Sequence, residues 1–345
     1  MFQEPDDLSS YLLIFILCFI SSVFLLYILK QWLPAHFLAA GFNARSNHSI
    51  PARQIGGLAC IPVFVCVLVL AGFWDIIPAR LSLSLTGAAI LVWVTGYLDD
   101  KDELSVRVRL PAQLLAAIIA VYGLGEDFRI LPDLFPHWLE IIFLTVAVLG
   151  SINVANFMDG LDWLTVTGIG IPLFLLGIIA ALSLQNPTIA IIGFSLSGAL
   201  AGFAVFNRHP ASVFLGDSGS LPLGLITGAV FLLFAQQAGL IPALILPLYY
   251  IADSGSTIIL RLRKGENILQ AHSSHAYQIA KRAGKSVGFV TGSIAALNLF
   301  LAGITALIIS LGPIAQIAGL GLAILLTGLL IIYFRTTGSN AKATG

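Results

Sequence analysis

Charged side chains are scarce in this 345-residue chain: Asp, Glu, Lys and Arg make up 10% of it, whereas soluble domains carry roughly 25%. This shortage excludes a disordered protein and a nucleic-acid-binding domain, because both depend on charge. Cysteine is scarce too. Cys18, Cys60 and Cys66 lie in apolar runs and fit neither a metal-ligand spacing nor the disulfide framework of a secreted scaffold.

Apolar residues dominate instead, with 58% hydrophobic residues and a mean hydropathy of +0.97. A helix needs about 20 apolar residues to cross a bilayer. Runs without charged residues occupy 8–29, 54–74, 81–98, 110–125 and 141–158, and three longer runs, 163–207, 218–252 and 286–334, each hold two spans. The sequence therefore predicts an all-α integral membrane protein with about 11 transmembrane helices in a single polytopic membrane domain, 1–345.

The distribution of basic residues predicts the orientation of these helices. With the N-terminus outside and the C-terminus cytoplasmic, 15 of the 17 Lys and Arg residues fall on the inner side, as the positive-inside rule requires. The predicted cytoplasmic loops cover about 30–53, 99–109, 153–163, 207–219 and 261–285. These loops are too short for a soluble domain, so we expect any active site to lie between helix ends at the cytoplasmic face.

The first polar cluster at this face begins with Asp99 and Asp100, directly after the third span. One interpretation is a solvated loop of mixed charge. The other is a carboxylate pair that binds a divalent metal or a metal-bound phosphate, because a nearby cation relieves the repulsion between adjacent carboxylates.

The second cluster places polar residues at every third position: Asn153, Asn156, Asp159 and Asp162. On a helix the first three would share a face, and Gly160 would end the helix. Asn residues in an apolar span can serve as hydrogen-bonding contacts between helices. Two Asn followed by two Asp favour a ligand site.

The third cluster, 207–220, contains Asn207, Arg208 and Asp217, and it ends where the eighth span begins. A helix N-terminus offers backbone N–H groups to a phosphate, and an Asp there can hold Mg²⁺ against that phosphate. The alternative is that Asp217 only caps the helix.

The fourth cluster is a basic loop that contains His272 and His275. Membrane topology or anionic lipid would explain its Lys and Arg residues, but not the two histidines. A closed zinc site lacks Cys or acidic partners nearby. We therefore expect the histidines to donate hydrogen bonds to a pyrophosphate.

Taken in order, these motifs are similar to those of a known family. Asp99-Asp100, the run from Asn153 to Asp162, the segment 207–220 and His272–Gln278 resemble the polyprenyl-phosphate N-acetylhexosamine-1-phosphate transferases (glycosyltransferase family 4, the MraY/WecA superfamily). Matching blocks run from about Asn43 to Gln278. The His-x-x-His-x-Tyr-Gln form is most similar to the WbpL-like branch, which primes O-antigen or related cell-surface polysaccharides.

This resemblance implies a reaction. The protein would transfer N-acetylhexosamine 1-phosphate from a UDP-N-acetyl sugar (UDP-GlcNAc, or a 6-deoxy relative such as UDP-FucNAc or UDP-QuiNAc) to undecaprenyl phosphate, releasing UMP at the inner membrane. Asp217 and Asn156 would hold Mg²⁺ or Mn²⁺, and Asp99 and Asp100 would be catalytic at the lipid phosphate. The implied substrate-binding residues are Asn153, Asn156, Asp159, Asp162, Asn207, Arg208, His272 and His275.

The alternative is a multi-span transporter of a phosphorylated or anionic solute. A carrier is expected to place ionisable groups or broken helices near the middle of the membrane. Here only Asp253 is deep, where it lines the site or faces a polar neighbour. No nucleic-acid partner is expected, and a homodimer is one option for the oligomeric state.

Overall fold

A computed structural model of the chain describes residues 7–39, 52–267, 270 and 272–343, with 338–343 as backbone only. The regular structure in these ranges is helical, apart from isolated β-bridges at Arg53. The helices are α1 (Leu8–Trp32), α2 (Gly57–Phe73), α3 (Ala79–Lys101), α4 (Val106–Leu124), α5 (His137–Phe157), α6 (Val166–Leu184), α7 (Pro187–Phe206), α8 (Asp217–Ala238), α9 (Leu240–Ile245), α10 (Leu248–Arg263), α11 (Ala276–Arg282), α12 (Val287–Ile308) and α13 (Pro313–Ala343).

Nine of the described helices are long and apolar enough to cross a membrane, and α2 is apolar but shorter, at 17 residues. The predicted class, an all-helical multi-span membrane protein, is confirmed. The number eleven and the orientation stay predictions. The first block of the family resemblance, around Asn43, lies outside the described residues.

The predicted ninth span differs most from the structure. It is divided into the short helix α9 and the helix α10, with Pro247 between them; proline lacks the N–H that would continue a helix. Helix α10 runs on into the predicted loop 261–285. Its buried side carries polar and ionisable residues, Asp253, Ser254, Thr257 and Arg261, so a search for charge-free runs could not find its end.

A second difference concerns the end of α5. The helix stops at Phe157, with Met158 as its C-cap, whereas the three-residue spacing predicted a helix as far as Gly160. Asp159 therefore lies in the turn between α5 and α6, and only Asn153 and Asn156 of the second cluster are helical. Helix α6 opens and closes with π-helical turns at Val166–Gly170 and Ala180–Leu184.

The centre of the bundle is formed by α7 and α8, the most buried of the long helices. Glycines allow α1 to pack closely against α7: a Cβ at Gly198 would lie 2.4 Å from the Phe15 carbonyl oxygen, and one at Gly202 would lie 2.6 Å from that of Phe19. Small residues allow such backbone contact between membrane helices. Helices α3 and α5 pack against α8, and the C-terminal ends of both lie at its N-terminus.

Backbone contacts also fix the start of α2 against the segment before α8. The Phe214 N–H donates to the Arg53 carbonyl at 2.9 Å, and the Gly57 N–H donates to the Leu215 carbonyl at 2.8 Å. A Cβ at Gly57 would lie 2.2 Å from the nitrogen of Gly219. Backbone contacts alone thus hold the segment before α8 and its first turn against the start of α2.

Candidate active site

The N-terminus of α8 is held by a carboxylate from α3. Asp100 accepts the N–H groups of Asp217 at 2.7 Å and Ser218 at 2.9 Å. A negative charge in this place is favourable because it faces the unsatisfied N–H groups and the positive end of the helix dipole. Gly216 allows the contact: its φ is +74°, and a Cβ there would lie 2.6 Å from Asp100 Oδ2.

This arrangement changes one prediction. We expected the N–H groups at the start of α8 to bind a substrate phosphate, but Asp100 already accepts the first two. The next two, from Gly219 and Ser220, donate to the Gly216 carbonyl at 3.0 and 2.9 Å. The negative charge at this helix end therefore comes from the protein itself.

Asp99 faces a cation from α4. Arg109 Nη1 lies 2.6 Å from Asp99 Oδ2 and 3.7 Å from Asp217 Oδ2, and the Leu104 N–H donates to Asp99 Oδ1 at 2.6 Å. The carboxyl groups of Asp99 and Asp217 are also within hydrogen-bonding reach of each other. Carboxylates this close repel each other unless a proton or a cation lies between them.

Asn156 brings α5 to the same point. Its Nδ2 donates to Asp217 Oδ1 at 2.7 Å and to Ser220 Oγ at 3.0 Å. The Asp217 side chain is 26% exposed, so a ligand can still reach it. Side chains from three helices, α3, α4 and α5, thus converge on Asp217 of α8.

Asn153 lies one turn earlier on α5 and has a different role. Its Nδ2 donates to Gln113 Oε1 at 3.1 Å and to the Leu149 carbonyl at 2.9 Å, and Gln113 is buried. The Asn153 amide therefore links α5 to α4.

The turn after α5 places Asp159 beside the carboxylate cluster. Thr165 Oγ1 donates to Asp159 Oδ1. Burial raises the pKa of Asp159 to about 7; the Thr165 hydrogen bond lowers it, and the charges of Asp100 and Asp162 raise it. Asp159 thus titrates near neutral pH, in the range of a group that exchanges a proton during a reaction.

The two histidines pack against the end of α5. The His272 and His275 rings are 5.0 Å apart between centroids, and each lies 6.5 Å from the ring of Phe157. The buried Tyr277 donates from its hydroxyl to the Phe157 carbonyl at 3.2 Å. A Cβ at Gly160 would lie 2.3 Å from that hydroxyl oxygen. Gly160 therefore allows α11, with its histidines, to reach the second cluster.

The third cluster folds back on the second. Asp162 Oδ2 lies 2.6 Å from His209 Nδ1 and accepts the Ala211 N–H at 3.3 Å. Asn207 Oδ1 accepts the Trp163 N–H at 2.7 Å, and its Nδ2 donates to the Val213 carbonyl at 2.9 Å. Asn207 is buried, and its two hydrogen bonds hold this loop against the turn between α5 and α6.

The structure thus brings four of the predicted site residues into contact at one point. Asp99, Asp100, Asn156 and Asp217 are in direct contact around the start of α8, and Asp159 lies beside them. His272 and His275 pack at the end of α5, Asn153, Asp162 and Asn207 hold helices and loops together, and Arg208 is exposed. Sequence reasoning missed Arg109, His209, Ser220 and Tyr277 as site residues. Arg109 lies in the first turn of the next helix, ten residues after Asp99, and no spacing in the sequence indicates that contact.

A divalent metal is compatible with these residues only as part of a complex with substrate. The described residues contain no set of three or more His, Cys, Asp or Glu side chains arranged to hold an ion. Mg²⁺ is commonly held by one or two carboxylates together with substrate phosphates. The close Asp99 and Asp217 carboxyl groups, with Asn156, are a donor set of that kind.

Comparison with known proteins identifies the family. The family described as Glycosyl transferase family 4 matches residues 82–235, which include the carboxylates and end before the histidines. A probable undecaprenyl-phosphate N-acetylglucosaminyl 1-phosphate transferase of Bacillus subtilis is 30% identical over 305 residues, 80% of this chain and 83% of the relative. The chain belongs to glycosyltransferase family 4, the superfamily of polyprenyl-phosphate hexosamine-1-phosphate transferases.

Other members of family 4 show similar identity. A phospho-N-acetylmuramoyl-pentapeptide-transferase of Deinococcus radiodurans is 30% identical, over 72% of this chain and 84% of the relative. One of Latilactobacillus sakei is 31% identical, over 59% of this chain and 68% of the relative. With its apolar helices and bacterial relatives of this kind, the chain is a multi-pass inner-membrane protein. Its place in the WbpL-like branch stays a prediction.

Proposed function

We propose that the protein transfers N-acetylhexosamine 1-phosphate from a UDP-N-acetyl sugar to undecaprenyl phosphate, giving undecaprenyl diphosphate-linked sugar and UMP. The observation that supports this most is the convergence of Asp99, Arg109, Asn156 and Asp217 at the start of α8. The name of the Bacillus subtilis relative supports the lipid acceptor and makes N-acetylglucosamine the first donor sugar to test.

The reaction exchanges one phosphorus–oxygen bond for another. An oxygen of the lipid phosphate attacks the phosphorus that carries the sugar, the bond from that phosphorus to the bridging oxygen breaks, and UMP leaves with the electron pair. A phosphate monoester has a second pKa near 6, so the acceptor is largely ionised at neutral pH. Catalysis then consists mainly of positioning and charge neutralisation.

The acceptor side is assigned to Asp99 and Arg109. Arg109 is 29% exposed and lies between Asp99 and Asp217; its guanidinium can pair with a phosphate oxygen. Asp99 holds Arg109 in place and lies where the acceptor phosphate would lose its last proton. Asp100 acts through the scaffold, since its carboxylate accepts the N–H groups that begin α8.

The metal side is assigned to Asp217 and Asn156. Mg²⁺ bound there would offset the charge that develops on the departing phosphate. Asn156 would contribute Oδ1, because its Nδ2 donates to Asp217 and Ser220. Asp217 is fixed in place by the first turn of α8.

The donor side is assigned to the loops around α5 and α11. His272 and His275 would donate to the pyrophosphate, and Asp159 follows α5 close enough to Asp100 for the two charges to interact. Arg208 is exposed beside the same loops and would add positive charge. The helices and loops around this surface are held in place by the hydrogen bonds of Asn153, Asp162 and Asn207. The downstream product would be O-antigen or a related cell-surface polysaccharide.

The test is UMP release by purified protein in detergent. The assay supplies undecaprenyl phosphate, Mg²⁺ and a panel of UDP-GlcNAc, UDP-FucNAc and UDP-QuiNAc. We expect release that requires both lipid and metal. Asp217→Asn should abolish it, while Asp133→Asn, which changes an exposed aspartate outside the site, should not.

Two outcomes would count against the proposal. A folded protein that releases no UMP with any of these donors would contradict it, and uptake of a phosphorylated solute by proteoliposomes would then favour a carrier. UMP release that continues without lipid would show hydrolysis of the donor in place of transfer.

A further inference from the structure

Asp253, on α10, is a buried charge that the proposed reaction does not use. Its side chain has no exposure to solvent. Burying a carboxylate is costly unless it is paired and hydrogen-bonded. The Tyr249 hydroxyl donates to Asp253 Oδ2 at 3.2 Å and the Thr257 hydroxyl donates to Oδ1 at 3.3 Å, both from one turn away on α10. These two bonds do not neutralise the charge.

The neutralising cation comes from the last helix. Arg335, on α13, places its Nη2 3.7 Å from Asp253 Oδ1. The same nitrogen donates to Thr257 Oγ1 at 2.8 Å and to Ser256 Oγ at 3.2 Å. Arg335 is therefore bound to α10 at the level of Asp253, and the pair joins α10 to α13.

Asp253 also fixes the start of α11. Its Oδ1 accepts the Ala276 N–H at 2.8 Å, which is the first N–H of that helix. The preceding residue is His275, whose Nδ1 lies 3.7 Å from the same carboxylate oxygen. That nitrogen is buried and has no hydrogen-bond partner among the residues that the structure describes. The carboxylate thus holds the backbone on one side of His275 and lies against its ring.

We propose that Asp253 is a positioning residue for the donor-side histidines and that Arg335 is the counter-charge that allows a carboxylate to be buried there. The inference rests on the proposed function, in which His272 and His275 contact the pyrophosphate of the nucleotide sugar. Asp253 does not touch substrate. It sets the first turn of α11, and with it the place of both imidazoles.

The test compares two buried carboxylates at different places in the protein. Asp253→Asn keeps an oxygen for the Ala276 N–H but leaves Arg335 unpaired. The matched control is Glu140→Gln, because Glu140 is also buried, accepts the backbone N–H groups of Ile130 and Leu131 and pairs with Arg129. Glu140 begins α5, at the end opposite to Asn156 and the carboxylates.

The expected result is a higher KM for the nucleotide-sugar donor with no change in the KM for the lipid. Asp253→Asn should raise the KM for UDP-GlcNAc, or for whichever donor the wild type uses, on the order of 10- to 100-fold, as displaced positioning groups do. The KM for undecaprenyl phosphate should stay unchanged. Calorimetric titration with UDP-GlcNAc should show the same weakening without turnover. Glu140→Gln should lower thermal stability but leave both KM values at the wild-type level.

A second variant covers the case in which Asp253→Asn does not fold. Arg335→Lys keeps the positive charge but loses the planar guanidinium, and it should raise the donor KM in the same direction by a smaller factor. Unchanged donor KM in an active Asp253→Asn protein, or an equal rise for donor and lipid, would overturn the inference alone. A wild-type protein that releases no UMP with any donor would overturn the proposed function, and this inference with it.

Discussion

Replacing Asp100 by Asn removes the carboxylate that accepts two N–H groups of α8, whereas replacing Asp99 by Asn removes one that faces Arg109. The two substitutions are chemically the same and adjacent in sequence. We expect both to impair UMP release, but only Asp100→Asn to destabilise the protein. The comparison separates support of the scaffold from contact with the substrate.

The contacts give the size of the difference. A hydrogen bond to a charged group contributes about 1.5–3 kcal/mol. Asn at 100 offers a single neutral oxygen to the N–H groups of Asp217 and Ser218, so the expected loss is about 2–4 kcal/mol. Asn at 99 keeps an oxygen for the Leu104 N–H. It loses an ion pair with the partly exposed Arg109, worth about 1 kcal/mol or less, and it relieves the repulsion between Asp99 and Asp217.

The assay is the thermal unfolding midpoint in one detergent at one scan rate, measured with UMP release on the same preparations. A fixed scan rate is needed because unfolding of such proteins is commonly irreversible. Asp102→Asn is the matched control, since Asp102 is exposed at the end of α3, and it should change neither quantity. Equal destabilisation by the Asp99 and Asp100 variants, or an Asp100→Asn protein as stable as wild type, would refute the reasoning.

Four further outcomes are expected. Arg109→Lys should raise the KM for the lipid phosphate roughly tenfold while leaving the donor KM unchanged, because lysine cannot bridge two oxygens as arginine does; steady-state kinetics with each substrate varied checks this, and a change confined to the donor would contradict it. Gly160→Ala should lower activity and the unfolding midpoint, since its Cβ would lie 2.3 Å from the Tyr277 hydroxyl; a Tyr277→Phe background should restore part of both. In the folded protein the pKa of Asp159 is about 7, above its ordinary value of 3.8. Between these two pH values the folded state binds a proton that the unfolded state has lost, so stability should fall as pH rises from 4 to 7. The unfolding midpoint of Asp159→Asn should depend less steeply on pH over that range. A chelator should abolish UMP release and added Mg²⁺ should restore it, and release that persists after chelation would exclude the assigned metal role.

Much of the fold could be predicted because long apolar runs have one stable arrangement in a membrane, the helix. The predicted spans 8–29, 81–98 and 141–158 lie within or overlap α1, α3 and α5, and the predicted break at 185–187 covers the two residues between α6 and α7 and the first residue of α7. The search for runs without charged residues failed at α10. A helix whose buried side carries Asp253 and Arg261 has no charge-free run of the required length.

The composition of the site was predicted better than the roles within it. The family resemblance placed Asp217 and Asn156 together, and both residues belong to clusters at predicted helix ends on one side of the membrane. The sequence could not show that Asp100 would accept the N–H groups of α8, because that contact joins residues 117 and 118 positions apart. Arg109 was missed for a similar reason: its contact with Asp99 depends on the direction in which α4 leaves the loop between the two helices.

The contacts of the two adjacent aspartates also differ in the time at which synthesis can supply them. Asp99 finds the Leu104 N–H and Arg109 within ten residues, whereas Asp100 must wait for Asp217. At about 5–20 residues per second, that interval is roughly 6–23 s, and only after it can the Asp100 carboxylate accept the N–H groups of α8. A chain that stops before residue 217 therefore lacks both hydrogen-bond donors of Asp100, whereas Asp99 already has its partners.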